Sequence, residues 1–572
     1  MQNKKNKYFS ISILIAGILS LFFSFNTPSE VFSSFFLGLS KERLAIIGVQ
    51  LFLILVFSFF LFIFWKARPD SAALQKLNGF FKNHTHYLMI KNCLLGLAIF
   101  LSFAFFYVSI FVPQALSALT GWFTYISWVA YVLFVKNSVQ SPDQKNSSKG
   151  SLFPSWKNLP PRQKRISLTL FILGLVYFCL FIPINLKLSS SPLALNGDEA
   201  VQYPVVLKML APQINLRFTL YRLFIYGEYE YGFPFYGLSA LLLVPIKAIF
   251  GSNFSQHTQL NLLILRQIVC VLPTVIAAFI FTYLATRFKK WWTALGLFLI
   301  ILTIPGVISY QTRFWHPDAL NLLFIALTLF YLDRDNLEFG GNFYLAAIAC
   351  GLSIATRMFG LFFFLAVAVL LLEGIVKKIL TLKKAVIAGV LFCLLMFGTI
   401  LVSNPYLFKP GEFGAAVSIF ERQGAQVTNG INEPDPEGIY QTGLHAWWPF
   451  IERFIGSELT LVFLVLFALL GCFAGKDRRY YRILLAWLVV VGGYLIFFVK
   501  VKSYWYLLPL LVPLYSAFFA ISDHFQSLKL KTYANPKARS ALNILITLLL
   551  AGMGSFQLFQ NISLIVLNHM FG

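Results

Sequence analysis

Apolar runs long enough to cross a bilayer recur along almost the whole chain, and this recurrence limits the fold more than any single motif. A membrane-spanning helix needs about 20 mostly apolar residues. Runs of that kind occupy residues 8–25, 44–65, 87–112, 116–136, 166–188, 262–286, 291–311, 318–333, 342–358, 359–376, 385–403, 458–475, 480–499, 505–522 and 541–562. The expected fold class is therefore an all-α polytopic membrane protein of about 15 transmembrane helices. Composition agrees: 58% of the 572 residues are hydrophobic and 12% are charged, an imbalance that excludes a soluble globular domain.

Lys and Arg number 46 against 22 Asp and Glu. In a soluble chain that excess would suggest a nucleic-acid partner. Here the cations sit in short clusters between apolar runs, as cytoplasmic loops of a membrane protein require, so no nucleic acid is expected. The clusters are Lys66 to Lys82, Lys136 to Arg165, Arg287 to Lys290, Lys377 to Lys384, Lys476 to Arg479 and Lys529 to Arg539. All fall on one side when the runs alternate, which places the N-terminus in the cytoplasm. The first run follows Lys4, Lys5 and Lys7 but leads into Phe25-Asn26-Thr27-Pro28, which has no small-x-small cleavage site, so it is expected to stay as an anchor.

One apolar stretch, 233–250, breaks the alternation if counted as a span, because Arg287, Lys289 and Lys290 would then lie outside. It is expected to lie at the outer interface within a long first outer loop, residues 189–261. A second outer loop, 404–457, carries the Pro- and acid-rich stretch beginning at Asn432. Domain organisation follows: a four-helix membrane block (1–136), a basic Pro- and Ser-containing linker (137–165), a main membrane domain (166–522), and a C-terminal helix and tail (523–572). The six cysteines lie in or beside apolar runs without paired-ligand spacing, so they are read as small buried residues with no zinc site or disulfide framework. No internal repeat or phosphate-binding Gly-rich loop stands out.

The chemistry is concentrated just outside the fifth span, in Leu195-Asn196-Gly197-Asp198-Glu199-Ala200-Val201-Gln202-Tyr203-Pro204. Asp198 and Glu199 read either as helix-capping acids or as a general base held at the bilayer surface. The readings are compatible, because a capped turn also fixes a carboxylate. A second acid, Asp318, opens a spanning helix in Arg313-Phe314-Trp315-His316-Pro317-Asp318-Ala319-Leu320-Asn321. It is either a cap after Pro317 or a functional membrane-edge carboxylate. Cations accompany these acids: Lys208, Arg217 and Arg222 in the first outer loop, Arg357 at the ninth span, and Lys500 and Lys502 at the outer end of the thirteenth. Lys500 and Lys502 break the positive-inside pattern and are candidates either for a phosphate or for snorkelling at the interface. The aromatics from Tyr221 to Tyr236 are read mainly as an interfacial belt, with a few free to stack on a sugar.

These residues together resemble the polytopic glycosyltransferases of the GT-C fold that use polyprenyl-phosphate sugars, a group including protein O-mannosyltransferases, bacterial aminoarabinose transferases and RgtA/B/C/D-like enzymes. The likeness rests on Asp198-Glu199, His316-Pro317-Asp318, the stretch Gly351 to Gly360 around Arg357, Asn404-Pro405-Tyr406-Leu407-Phe408, and Lys502-Ser503-Tyr504-Trp505-Tyr506-Leu507-Leu508-Pro509, in that order over residues 166–522. The resemblance implies a GT-C-like multi-helix bundle with interfacial helices in the first outer loop. It implies Asp198 as catalytic base, Glu199 as its support and Asp318 in the same pocket. It further implies substrate contacts from Tyr203, Arg222, His316, Arg357, Lys500 and Lys502. The partners would be a polyprenyl-phosphate-linked sugar donor, membrane lipid, and an acceptor glycan, lipid or protein. No cofactor is required, although two carboxylates facing one pocket leave room for a divalent metal. The site would face away from the cytoplasm, with a bacterial plasma membrane as the expected location. Arg357 stands where relatives often carry Lys, and the four leading helices are additional to the family pattern.

Two other readings stand beside this one. An envelope polysaccharide polymerase or ligase would concentrate Arg and His in the long loop. A lipid-linked saccharide transporter or flippase would carry ionisable groups near helix midpoints; Arg357 approaches such a position.

Overall fold

The structure is a computed structural model that describes residues 2–26, 41–66, 84–111, 114–136, 160–189, 195, 197–211, 216–313, 315–430, 440–473, 478–522 and 536–567. The regular elements are all helices, with no strand among the described residues. That outcome follows from the apolar runs, because a backbone polar group in hydrocarbon must find its partner within its own segment. The polar part of the linker (137–159), Asn196, Phe314, the acidic loop 431–439 and residues 523–535 lie outside the described residues.

Among the described residues, ten helices are long and apolar enough to cross a membrane, or eleven if Leu444–Ile455 and Glu458–Phe473, which meet at 98°, form one broken span. The chain is thus a multi-pass membrane protein, and where the described residues give fewer such helices than the expected 15 several of the reasons are local. The run 291–311 is two helices, Trp291–Thr303 and Pro305–Arg313, because Pro305 forces the preceding Ile304 into extended backbone (φ −51°, ψ 127°). The run 342–358 is a shorter helix, Gly341–Thr356. The run 318–333 becomes the helix Asp318–Asp335, which carries Asp318, Asp333, Arg334 and Asp335 and is sheathed by protein. Conversely, Phe233–Phe250 is a continuous helix of 18 residues that does meet the length and hydropathy of a crossing helix.

The chain divides into two compact units. The first comprises residues 1–149 and 212–221 and contains the helices Gln2–Asn26, Lys41–Lys66, His84–Phe111 and Gln114–Lys136. Its interior is knitted by a few polar contacts of the kind that hold helices together in lipid. Trp122 donates its indole N–H to the Ile13 carbonyl at 3.0 Å, and Gln50 donates to Ser20 Oγ at 2.9 Å and Ser24 Oγ at 3.2 Å. Gly17 allows the close approach; a Cβ there would lie 2.9 Å from Ile54 Cγ1.

The second unit comprises residues 150–211 and 222–572. Its central helix, Asp318–Asp335, packs against Gly341–Thr356, Leu272–Thr286, Arg478–Phe498 and Tyr504–Leu514. Being surrounded by protein, this helix buries Asn321, Thr328 and Asp335 as well as its apolar residues. The last helix, Pro536–Leu567, belongs to the same unit: Gln557 donates to the Ile455 carbonyl at 2.8 Å and Asn561 to Thr303 Oγ1 at 3.1 Å. Outer faces are studded with exposed Phe, Leu, Ile and Val, as a lipid-facing surface requires. Cys93, Cys179 and Cys393 lie on exposed faces of their helices, whereas Cys270 and Cys350 are buried. The first group corrects the expectation that all six are buried.

Candidate active site

Asp198 and Glu199 occupy the first turn of the helix Gly197–Met209, where the N-terminal partial positive charge favours acids. Successive residues on a helix point about 100° apart, so the neighbours face different surroundings. The Glu199 side chain is fully buried, while that of Asp198 retains 41% exposure. Glu199 is committed elsewhere: Arg266 Nε donates to its Oε1 at 2.9 Å and Arg266 Nη2 to its Oε2 at 2.6 Å, a two-pronged ion pair. The Trp315 backbone N–H also donates to Oε1, at 2.5 Å. The Glu199 carboxylate thus faces Arg266 and Trp315.

Asp198 instead faces His316. Its Oδ2 lies 3.4 Å from His316 Nε2, and His316 Nδ1 lies 2.5 Å from Asp318 Oδ2. Arg357 Nη1 donates to the same Asp318 oxygen at 2.5 Å. The four side chains form one continuous row, carboxylate, imidazole, carboxylate, guanidinium, with Asp198 at the solvent-reaching end. His316 Nε2 also lies 2.8 Å from the Tyr231 hydroxyl, so the ring faces Asp318 through Nδ1 and both Tyr231 and Asp198 through Nε2. The His316 contact holds the Asp198 carboxyl below the usual carboxylate range, against the opposing effect of partial burial.

The surrounding backbone is built to hold this row. Tyr310 Oη donates to the His316 carbonyl at 2.8 Å and accepts from the Ala319 N–H at 3.2 Å, closing the turn around Pro317. Trp315 donates its indole N–H to Ser239 Oγ at 3.1 Å, and its ring stacks on Phe235. Arg357 lies in extended backbone just after Gly341–Thr356, with its guanidinium 4.9 Å from the Tyr506 ring and 5.6 Å from the Tyr231 ring. Asn404 ties the loops together, accepting from the Phe233 N–H at 2.8 Å and donating to the Ala355 carbonyl at 3.4 Å. Gly232 is obligatory there, because a Cβ would stand 1.5 Å from the Ala355 oxygen.

The structure thus brings together Asp198, His316, Asp318 and Arg357 from the sequence-derived set and leaves the others apart. Tyr203 is buried and accepts from Asn261 Nδ2 at 2.8 Å, a packing contact below the site. Arg222, on the helix Leu216–Phe224, shares no hydrogen bond or ion pair with the row. Lys502 donates its ammonium to the Gln441 and Lys500 carbonyls, and the Lys500 N–H donates to the Val427 carbonyl at 2.9 Å. Both lysines fasten the end of the helix Pro410–Asn429 and the segment at Gln441 to the segment before Tyr504. The aromatics from Tyr221 to Tyr236 also differ from the expected belt: Phe224, Tyr226, Tyr229, Phe235 and Tyr236 are buried in protein, and Tyr229 stacks on Tyr406 at 4.1 Å.

Sequence reasoning missed Arg266 and gave no role of their own to Tyr231 and Trp505, which stand in stretches it singled out; the Trp505 ring lies 5.2 Å from that of His316. Arg266 did leave a signal, an arginine inside an apolar run, which by default marks a functional or structural partner. A divalent metal does not fit the row, because Asp318 is already held by Arg357 and His316 separates it from Asp198. No group of three or more His, Cys, Asp or Glu placed to hold a metal occurs among the described residues. Comparison with protein-family models, curated proteins and solved structures finds no match for this chain.

Proposed function

We propose that this protein is an integral-membrane glycosyltransferase that moves a sugar from a polyprenyl-phosphate donor to an acceptor hydroxyl, with Asp198 as general base. The observation that carries the reading is the row from Asp198 to Arg357, because it supplies what the reaction needs at one accessible carboxylate. A sugar on a lipid phosphate already has a good leaving group, so catalysis requires a base for the acceptor and a pocket that fixes its geometry. Asp198 takes the proton of the acceptor hydroxyl, the acceptor oxygen bonds to the anomeric carbon, and the bond from that carbon to the phosphate oxygen breaks. Polyprenyl phosphate leaves with the electron pair. A single displacement of this kind inverts the anomeric centre.

His316 and Asp318 keep the base oriented, and Arg357 balances the charge of Asp318. The GT-C fold, donor phosphate contacts from Arg222, Lys500 and Lys502, the outward-facing site, the cytoplasmic N-terminus and the bacterial plasma membrane belong to the same proposal. Its test is incubation of membranes containing the protein with radiolabelled polyprenyl-phosphate sugars and envelope acceptors, followed by determination of the product anomer. Label should pass to an acceptor with inverted configuration. Retention, or label that crosses the membrane while still attached to its lipid, would replace the reading with a double displacement or with transport.

A further inference from the structure

The long helix Thr258–Thr286 does not run as a uniform α-helix: residues Arg266–Val271 form a π-helical segment in its interior. Such insertions are uncommon and recur at functional sites. Arg266 and Cys270, four residues apart, both reach the candidate site from this segment. Arg266 grips Glu199 through two nitrogens, and Glu199 Oε1 also receives the Trp315 N–H. One oxygen therefore joins the chain segment that carries Asp198 to the one that carries His316. Cys270 Sγ receives the His316 N–H at 3.4 Å and stands 3.6 Å from the His316 carbonyl oxygen.

We infer that the π segment Arg266–Val271 is a positioning device for the transfer reaction proposed above, with Arg266 setting the Asp198 to His316 register through Glu199. Both ends of the 3.4 Å contact hang from this segment, since Asp198 adjoins Glu199 and His316 adjoins Trp315. Stability alone does not account for the arrangement. A buried ion pair is often replaceable by apolar residues at no loss, and its attested use is to fix register. Both partners here are buried, with side-chain exposures of 2% and 0%, and they connect segments 67 residues apart.

The test uses the purified full-length protein with Arg266→Lys, which keeps the charge and loses the two-pronged grip, and with Glu199→Gln should the first variant fail to fold. Two readouts are taken: the infrared titration of the Asp198 carboxylate, identified by its loss in Asp198→Asn, and the pH dependence of kcat and donor KM. In the variants the Asp198 midpoint and the acid limb of kcat should both rise toward the ordinary carboxylate value. Turnover should fall by about 10- to 100-fold while donor KM changes by less than about threefold. An unchanged Asp198 midpoint, with activity lost only in proportion to folded protein, would overturn the inference. If the wild type transfers no sugar from any donor, the glycosyltransferase reading fails, and the carboxylate titration decides the positioning role by itself.

Discussion

The central helix carries an aspartate at each end, and the two have opposite company. At its start, Asp318 meets His316 and Arg357, side chains that continue to the accessible carboxylate of Asp198. At its end, about 26 Å away at 1.5 Å per residue, Asp335 accepts backbone N–H groups from Phe339 at 2.8 Å, Gly340 at 3.0 Å and Phe343 at 3.1 Å. Those three donors close the turn into the helix Gly341–Thr356, and nothing in the arrangement moves a proton. Both acids are buried, so burial alone does not separate chemistry from structure. The identity of the partners does. Backbone amides use an aspartate as a turn lock, whereas a histidine shared between two carboxylates makes a path for a proton.

The largest expected effect lies at the accessible end of the row. Asp198→Asn should lower sugar transfer by about 10³-fold or more at matched expression, the scale of a lost general base, while the melting temperature stays near that of the wild type. Asp318→Asn should cost about 10²-fold, since His316 loses its charged acceptor and the Arg357 charge loses its partner; steady-state kinetics with thermal melting in detergent separates the two contributions. At the other end, Asp335→Asn should act on the fold alone, lowering stability by about 1–3 kcal/mol for the weakened backbone contacts, with turnover per folded molecule unchanged. A comparable kinetic loss in Asp335→Asn would erase the contrast between the ends.

The pH profile sharpens the comparison further. A base must be ionised, and Asp198 is held below the usual carboxylate range chiefly by its hydrogen bond with His316. Transfer should therefore persist as pH falls through the value near 4 of an ordinary aspartate, and fail only as it passes the depressed value. The stabilising part of the same contact follows that course, present above the unfolded value and lost through the folded one. In His316→Gln the acid limb should move up toward the ordinary value, the smallest of these shifts and measurable as kcat against pH.

Much of the architecture was legible because hydrocarbon imposes simple rules. Apolar length alone located the helices at 161–187, 382–403 and 540–566, all of which meet the spanning criteria. It failed where other forces compete: at Ile304, where the following proline breaks the helix, and in Asp318–Asp335, where a protein sheath removes the need for an apolar surface. The site was half legible. Asp198, His316, Asp318 and Arg357 are acids, an imidazole and a cation in places where their cost demands a reason. What stayed hidden was pairing across distance, since no local pattern says that Glu199 will meet Arg266 or that Tyr231 will meet His316. Lys500 and Lys502 were conspicuous because they break the expected charge pattern of the loops, yet the Lys502 ammonium meets backbone carbonyls.

The most direct test of the central claim is the rate of sugar transfer by Asp198→Asn against wild type, each reconstituted with the donor on which the wild type is active and normalised to folded protein. The account predicts a fall of about 10³-fold with donor binding retained. Transfer at the wild-type rate would contradict it and leave Asp198 as a helix-capping acid.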